Sequence, residues 1–240
     1  MSFLICAASD KEMRALAPAI FGEDSPLPEM QPVARNVGGR ELLFLVTGIG
    51  PINAALAVGL CLGRLKSENS PRLSGLIYAG LAGSFDLEKV PLLSICLVTK
   101  EIWPEYGLHD GISVTARAFK FPLWIQENGM EIYDTLNLAT PADLGLKPVP
   151  DDWVSCTSLT VAGVSASFQR RDRLSSLYGA ELENMEGFAA AYACAREAVP
   201  CLEIRVVSNK VGPRSRAEKD FEGALEIMGQ ILSALNLTRR

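Results

Sequence analysis

The chain has 240 residues, of which 48% are hydrophobic and 21% are charged, and its 28 acidic and 23 basic residues give a net charge of −5. This composition supports a folded core and excludes the low-hydrophobicity, high-charge class of disordered chains. The bases do not gather into a stripe that could neutralise phosphates, so we expect a small-molecule partner and no nucleic-acid partner.

Short apolar runs alternate with helical patterns along the chain. Predicted strands cover residues 3–8, 42–47, 76–79, 93–99, 159–164, 181–185 and 202–208, and predicted helices cover 11–19, 51–65, 170–177, 187–197 and 218–235. Prolines break the pattern in residues 104–152, which are predicted to be rich in loops. The alternation predicts an α/β sandwich around a parallel or mixed sheet, with residues 1–240 forming one domain.

An uncharged segment and the cysteines indicate where the protein is located and whether its thiols are reduced. Residues 42–63 carry no charge, but a turn at 47–51 divides them into a strand and a helix, so no membrane span is expected. The six cysteines form no Cys-x-x-Cys pair and lie mostly in apolar runs, which indicates reduced core thiols. We therefore expect a cytoplasmic protein. The single histidine, His109, is expected in an exposed turn and excludes a His-based metal cluster.

Carboxylates are placed where they can act together. Glu12 follows the first predicted strand, while Glu183 and Glu186 flank Met185 at the end of a later one. Cleavage of a glycosyl bond generates an oxocarbenium-like sugar, which requires nearby negative charge, a base for water and hydrogen bonds to the departing group. Two glycine turns, 47–50 and 80–84, follow strands and either cradle a ligand or only permit tight turns.

Five short motifs together resemble the nucleosidase and nucleoside phosphorylase superfamily. They are Glu12 after the first strand, the turns at 47–50 and 79–83, the segment 184–187 before an alanine-rich helix, and residues 205–209. Within that superfamily, residues 183–187 and 208–214 most resemble the futalosine hydrolases. The resemblance implies a three-layer α/β/α sandwich with a central mixed sheet. It also implies hydrolysis of futalosine in menaquinone biosynthesis, with release of hypoxanthine and dehypoxanthinylfutalosine, no cofactor, no metal, and a homo-oligomer.

The resemblance assigns the two carboxylates different roles. Glu12 matches the general base that activates water, and its alternative is a solvated acid in the first turn of a helix. Glu186 matches the acceptor of hydrogen bonds from both ribose hydroxyls, and Met185 matches the apolar surface beneath the sugar. Their alternatives are a strand-end glutamate and a core methionine.

The remaining matched positions surround the sugar and the base. Ile49, Ala82 and Gly83 match positions that line the water and sugar side of the pocket, or they only pack there. Arg205 and Ser208 match polar positions near the glutamates and the base, and Arg205 alternatively pairs with a buried carboxylate. Phe168 matches the aromatic residue that stacks on the base, or is a core phenylalanine.

Asn209 distinguishes the branches of the superfamily. An aspartate at this position protonates adenine in the adenine-specific nucleosidases, whereas an amide can pair with the carbonyl and ring nitrogen of hypoxanthine. The alternatives are a methylthioadenosine/adenosylhomocysteine nucleosidase, which Asn209 disfavours, and a purine nucleoside phosphorylase. The glycine turns carry none of the arginines that phosphorylases place there, so water is the expected nucleophile. A nucleoside-binding protein without catalysis is the alternative outside enzymes.

Overall fold

The computed structural model describes residues 2–68, 72–111, 113–213 and 215–238, so Arg214 in the last of the matched segments lies outside the described residues. The strands are β1 (Phe3–Ala7), β2 (Val33–Val37), β3 (Arg40–Val46), β4 (Gly75–Ser84), β5 (Ile95–Ile102), β6 (Leu108–His109), β7 (Val114–Thr115), β8 (Trp124–Ile125), β9 (Glu131–Ile132), β10 (Thr135–Asn137), β11 (Val154–Thr160), β12 (Leu182–Asn184) and β13 (Cys201–Lys210). The helices are α1 (Asp10–Leu16), α2 (Pro51–Ser67), α3 (Phe168–Tyr178), α4 (Gly187–Arg196), α5 (Phe221–Met228) and α6 (Ile231–Ala234).

The main sheet is mixed, as predicted. β1 lies between β3 and β4 and is parallel to both, and β13 is parallel to β4 and antiparallel to β5. β5 pairs with β11, β11 pairs with β12, and β12 runs antiparallel to the last residues of β4. The sheet therefore curls until β12 returns to β4. This curl brings the residues that follow β12 close to the middle of β4.

Helices cover both faces of the sheet, which confirms the three-layer sandwich. Met13 of α1 and Met228 of α5 are fully buried in one cluster with the side chains of β1 and β3. Val58 of α2 and Ala190 of α4 are fully buried in a second cluster on the other face. The central strands thus carry apolar side chains on both faces of the sheet, as expected for strands that helices cover on both faces.

The C-terminal helix is shorter than predicted. The prediction of one helix over 218–235 is wrong because α5 ends at Met228 and α6 begins only at Ile231. Gly229 lies between them, and a Cβ atom at this position would approach the carbonyl oxygen of Ala15 to 3.3 Å. Close packing against α1 therefore favours glycine here, and glycine weakens a continuous helix.

Two other regions also differ from the prediction. The strand predicted at 159–164 ends at Thr160, because the following residues turn to place Ser167 as the N-cap of α3. Residues 104–152 do contain loops, but they also form two small hairpins and β10, which pairs with the edge of β5. His109 is exposed in the first hairpin. No helix in the described ranges is long and apolar enough to cross a membrane.

Candidate active site

Glu12 is held by the local structure that follows β1. Ser9 caps α1, and its backbone N–H and hydroxyl both donate to Oε2 of Glu12, at 3.0 and 2.8 Å. The other oxygen, Oε1, accepts the backbone N–H of Leu81 in β4 at 3.1 Å. Glu12 is therefore a first-turn helix acid, as in its alternative interpretation, and it also reaches β4. A capping box and the strand fix the half-buried carboxylate in one orientation.

Glu186 is linked to the same part of β4 through Arg205. It is 5% exposed, its Oε1 accepts the backbone N–H of Gly50 at 3.0 Å, and its Oε2 lies 3.5 Å from Nη1 of Arg205. The same guanidinium nitrogen donates to the carbonyl of Leu81 at 3.3 Å. Leu81 thus connects the two acids: Glu12 accepts its N–H directly, and Glu186 is linked to its carbonyl through Arg205.

The surroundings of Glu186 and Arg205 determine the charge of both side chains. Burial raises the pKa of Glu186, while Arg205 and the Gly50 N–H oppose that rise. Burial would lower the pKa of Arg205, but Glu203 and Glu186 together raise it above its usual value, so the guanidinium stays charged. The fixed cation therefore favours the charged form of Glu186, and this buried carboxylate, not the cation, suits stabilisation of a positively charged sugar.

Behind Arg205 lies a buried polar network that the sequence patterns did not indicate. Arg205 Nε donates to Glu203 at 2.7 Å, and Nη2 donates to the amide oxygen of Asn184 at 3.0 Å. Asn184 in turn donates to Glu101 at 2.6 Å. Burial and the charge of Glu203 raise the pKa of Glu101. Glu101 lies on β5 and Glu203 on β13, about one hundred residues apart in the chain, so only the fold reveals that the two acids share one buried network.

Gly187 allows these acids to approach the start of α4. A Cβ atom at this position would lie 2.6 Å from Oε1 of Glu101 and from Oε2 of Glu203, both fully buried. The network therefore needs a residue without a side chain at 187.

Gly187→Ala is expected to lower the free energy of unfolding by about 1–3 kcal/mol, the usual cost of overpacking, although alanine is the better helix former. Urea denaturation measures this value. Gly63→Ala in α2, where a Cβ atom would meet nothing within 4 Å, is the matched control and is expected to be neutral or stabilising. Equal effects of the two substitutions would contradict the packing argument.

The second part of the site lies at the ends of β4 and β13. The Asn209 Nδ2 group donates to the carbonyl of Lys210 at 2.9 Å, and its Oδ1 accepts the hydroxyl of Ser208 at 3.0 Å. Ser208 is buried and also lies 3.3 Å from the carbonyl of Ala82. Gly83 lies beside the amide, which retains one free N–H and one free lone pair for a ligand.

A cavity opens beside Asn209. Its lining residues come from the ends of β4, β12 and β13, the loop before α3 and the start of α5: Gly83, Val164, Ser165, Glu183, Asn209, Lys210, Gly212, Ser215, Glu218, Lys219 and Phe221. Phe221 is the aromatic side chain in this lining, and it was missed because it begins a helix that the sequence pattern extended too far towards the N-terminus.

The other predicted residues are placed as follows. Ile49 is 62% exposed and directly precedes Gly50, whose N–H donates to Glu186. Met185 is partly buried and directly precedes Glu186 in the chain. Phe168 is the first residue of α3, is 61% exposed and lies under the guanidinium of Arg171 at 5.0 Å. It does not line the cavity beside Asn209, and its exposure excludes the core position that was its alternative.

Metal ligation has no support within the described part of the chain, where no group of three or more His, Cys, Asp or Glu residues has a metal-binding arrangement. All six cysteines are buried free thiols.

The chain is similar in sequence to one protein-family model and to enzymes that act on nucleosides. Residues 3–236 match the family model described as the phosphorylase superfamily. The chain is 30% identical over 221 residues to the futalosine hydrolase of Thermus thermophilus, covering 88% of this chain and 90% of that protein. It is 24% identical over 230 residues to the 5'-methylthioadenosine/S-adenosylhomocysteine nucleosidase of Bacillus thuringiensis, covering 92% and 90% of the two chains.

Solved structures share the fold at lower sequence identity. A futalosine hydrolase mutant of Helicobacter pylori superposes with a TM-score of 0.73 at 16% identity, covering 98% of each chain. A 5'-methylthioadenosine/S-adenosylhomocysteine nucleosidase of the same organism, in complex with butyl-thio-DADMe-Immucillin-A, also gives a TM-score of 0.73 at 16% identity and covers 98% of this chain and 97% of that one. At these identities the structures bear on the fold alone.

Proposed function

The chain belongs to the phosphorylase superfamily, and we propose that within it the chain hydrolyses the N-glycosidic bond of futalosine, releasing hypoxanthine and dehypoxanthinylfutalosine for menaquinone biosynthesis. The observation that carries this proposal is that Leu81 bonds Glu12 directly and is linked to Glu186 through Arg205, with Asn209 at the end of the neighbouring strand. These groups supply a base, a sugar acceptor and a partner for the departing purine.

Each group has a defined task in the proposed reaction. Glu12 accepts a proton from the attacking water, because its Oε1 is held by a single N–H and retains a free lone pair. Glu186 accepts hydrogen bonds from the ribose hydroxyls, and Met185 packs beneath the sugar. Asn209 bonds the carbonyl and ring nitrogen of hypoxanthine as the bond to the sugar breaks. Ile49, Ala82 and Gly83 line the sugar side through their backbone.

Water rather than phosphate is the proposed nucleophile. Neither the turn at 47–50 nor residues 80–84 contain an arginine, although residues 80–84 are the end of β4 and not the turn that was predicted there. Arg205 does reach Gly80 of β4, since a Cβ atom there would lie 2.7 Å from its Nη1. However, Arg205 is completely buried, and its charge is paired with Glu203 and Glu186. An incoming phosphate would have to displace these carboxylates, which is costly for a buried ion pair.

One assay tests the activity and separates its rivals. Futalosine, inosine and methylthioadenosine are presented side by side, with and without phosphate, and the released bases are quantified. We expect phosphate-independent release of hypoxanthine from futalosine. Release that requires phosphate would indicate a nucleoside phosphorylase, ready release of adenine would indicate the methylthioadenosine class, and binding without any release would indicate a nucleoside-binding protein.

Asn209→Asp is expected to lower kcat/KM for futalosine by about 10- to 100-fold, because a carboxylate repels the purine carbonyl that the amide N–H binds. The same substitution supplies a group that can protonate adenine, so activity towards the 6-amino analogue is expected to rise. Asn36→Asp, in the exposed β2–β3 hairpin, is the matched control. An unchanged ratio of the two activities would contradict the role of Asn209.

We further propose that the chain acts in the cytoplasm as a homo-oligomer. Free thiols at all six cysteines suit a reducing compartment. On α2, Ile52, Leu56 and Leu60 recur every four residues and are 80%, 48% and 44% exposed, which forms an apolar row on one helix face. Burial of this row against a second copy would remove it from water, and sedimentation velocity distinguishes the oligomer from a monomer.

A further inference from the structure

One carboxylate oxygen in the buried network behind Arg205 has no hydrogen-bond partner among the described residues. Glu203 is completely buried, and its Oε1 accepts Arg205 Nε at 2.7 Å, whereas its Oε2 is enclosed and receives no donor from residues 2–68, 72–111, 113–213 or 215–238. An enclosed acceptor on a charged group is costly, because the hydrogen bonds that it made to water are not replaced. A proton donor beside Oε2 would remove this cost.

Glu101 of β5 faces this oxygen across the first residue of α4. The position that a Cβ atom of Gly187 would take lies 2.6 Å from Glu101 Oε1 and 2.6 Å from Glu203 Oε2, so the two oxygens are at most twice that distance apart. Both acids are completely buried. Two carboxylates this close in a site without solvent strongly disfavour double ionisation, and one of them then binds a proton.

The contacts of Glu101 are compatible with a proton on Oε1. The Thr160 hydroxyl donates to Oε2 and Asn184 Nδ2 donates to Oε1, each at 2.6 Å. The hydroxyl oxygen of a carboxylic acid donates and also accepts, so Oε1 can keep the bond from Asn184 while its proton points at Glu203. Burial raises the pKa of Glu101 and the charge of Glu203 adds to the rise, while the hydroxyl donor and the charge of Arg205 oppose it.

The elements around the two acids present few other charges. The ionisable groups that face them are Arg205 and Cys201 on β13 and Cys156 on β11. A neighbouring thiol and burial raise the pKa of each cysteine, so both thiols are neutral at neutral pH. Asn184 of β12 and Gly187 of α4 carry no charge. With one proton between them, the two acids have a single negative charge opposite the guanidinium.

Glu203 in turn determines where the guanidinium points. Its Oε1 holds Nε at 2.7 Å, and the Asn184 amide oxygen holds Nη2 at 3.0 Å. Because the guanidinium is planar, these two bonds fix the third nitrogen, Nη1, which faces the carbonyl of Leu81 at 3.3 Å and Glu186 at 3.5 Å. A change in the position of Glu203 therefore moves Nη1 relative to Glu186.

We propose that Glu101 is a positioning residue that holds a proton at neutral pH and uses it to donate a hydrogen bond to Oε2 of Glu203. Glu203 then keeps Arg205 aimed at Glu186. This inference rests on the proposed function for the role of Glu186 as the acceptor of the ribose hydroxyls. The proton stays on Glu101 throughout, and the residue touches neither the sugar nor the base.

Infrared spectroscopy of the protein without substrate detects the proton directly. A protonated carboxyl has a C=O stretch that is separate from the carboxylate bands and shifts in D2O. We expect the wild type to show such a band at neutral pH, Glu101→Gln to lose it, and Glu41→Gln to keep it, because Glu41 is exposed on β3. A spectrum in which Glu101→Gln has the same carboxylic-acid bands as the wild type would overturn the proposal.

The same proton must be taken up on folding. In the unfolded chain Glu101 has the ordinary pKa of a glutamate, so above that pH the folded protein holds one proton more, and this group lowers the folding equilibrium constant about tenfold for each unit that the pH rises. Urea denaturation at several pH values is expected to show that proton in the wild type and in Glu41→Gln, and one proton fewer in Glu101→Gln. Identical slopes for all three proteins would contradict a proton on Glu101. The glutamine gives up the bond from Asn184, but that loss is the same at every pH.

Two substitutions of Glu101 test its effect on the sugar site. Glutamine can still donate an N–H to Glu203, whereas leucine has a similar volume and no donor. Isothermal titration with dehypoxanthinylfutalosine, which keeps the ribose hydroxyls, is expected to give a Kd within a few-fold of the wild type for Glu101→Gln and a Kd at least about tenfold higher for Glu101→Leu. Equal Kd values in the two variants would overturn the positioning role. Failure of the wild type to cleave futalosine would contradict the proposed function, and the infrared band and the proton count test the proton on Glu101 independently of that result.

Discussion

Glu12→Gln is expected to reduce kcat for futalosine by about 10²- to 10⁴-fold, the range for loss of a general base. The amide cannot accept a proton from water, whereas its carbonyl oxygen can still bind the N–H of Leu81, as Oε1 of Glu12 does at 3.1 Å. The Kd for the substrate is therefore expected to stay within a few-fold of the wild-type value. Single-turnover release of hypoxanthine measures the chemical step, and equilibrium binding of intact futalosine to the slow variant measures Kd.

A matched control exists because Glu12 also closes the capping box of α1. Asp143 closes a comparable box with Thr140 at the start of the short helix Pro141–Leu144, outside the cavity and the glutamate pair. Asp143→Asn removes a similar cap, whose usual cost is about 0.5–2 kcal/mol, and is expected to leave kcat unchanged. If Glu12→Gln lowers only stability, by an amount like that of Asp143→Asn, the acid is a cap and not the general base.

The positions of Glu12 and Glu186 relative to strands were predictable because each comes just after a predicted strand, whereas Asn209 was expected just after a strand and lies within the last two residues of β13. A parallel strand order then brings such ends together, and β1, β3, β4 and β13 have that order. To bring Glu186 to this edge of the sheet, β12 must also pair antiparallel with the end of β4. That pairing is long-range, and no local pattern of residues 181–187 contains it.

Glu101 and Glu203 could not be identified from the sequence for a different reason. Each is the one acid in a strand that also carries at least one basic residue, and either can be explained by itself as an edge residue. Both are completely buried: Arg205 of the same strand bonds Glu203, Asn184 of β12 bonds Glu101, and Gly187 of α4 packs against both acids. Only the fold places one arginine among several acids, and the balance of charge there determines how firmly Glu186 is held.

Arg205→Met is expected to lower the free energy of unfolding by about 3–5 kcal/mol, the cost of removing one partner from a buried ion pair. The guanidinium is completely buried, donates to Glu203 at 2.7 Å and to Asn184 at 3.0 Å, and lies 5.1 Å from the centre of the Tyr78 ring. Methionine fills part of the volume but leaves these acceptors without a donor in a site that excludes water. Urea denaturation at one fixed protein concentration measures the loss, because assembly also contributes to apparent stability.

Two variants show whether the loss comes from unpaired charge. Arg196→Met removes an exposed guanidinium that lies 5.0 Å from the Trp124 ring, and it is expected to cost less than about 1 kcal/mol. Adding Glu203→Gln to Arg205→Met removes the negative charge that the arginine neutralised, so the double variant is expected to be more stable than Arg205→Met alone. If the second substitution instead adds its own full cost, Arg205 stabilises the fold by packing, and the acids around it do not depend on its charge.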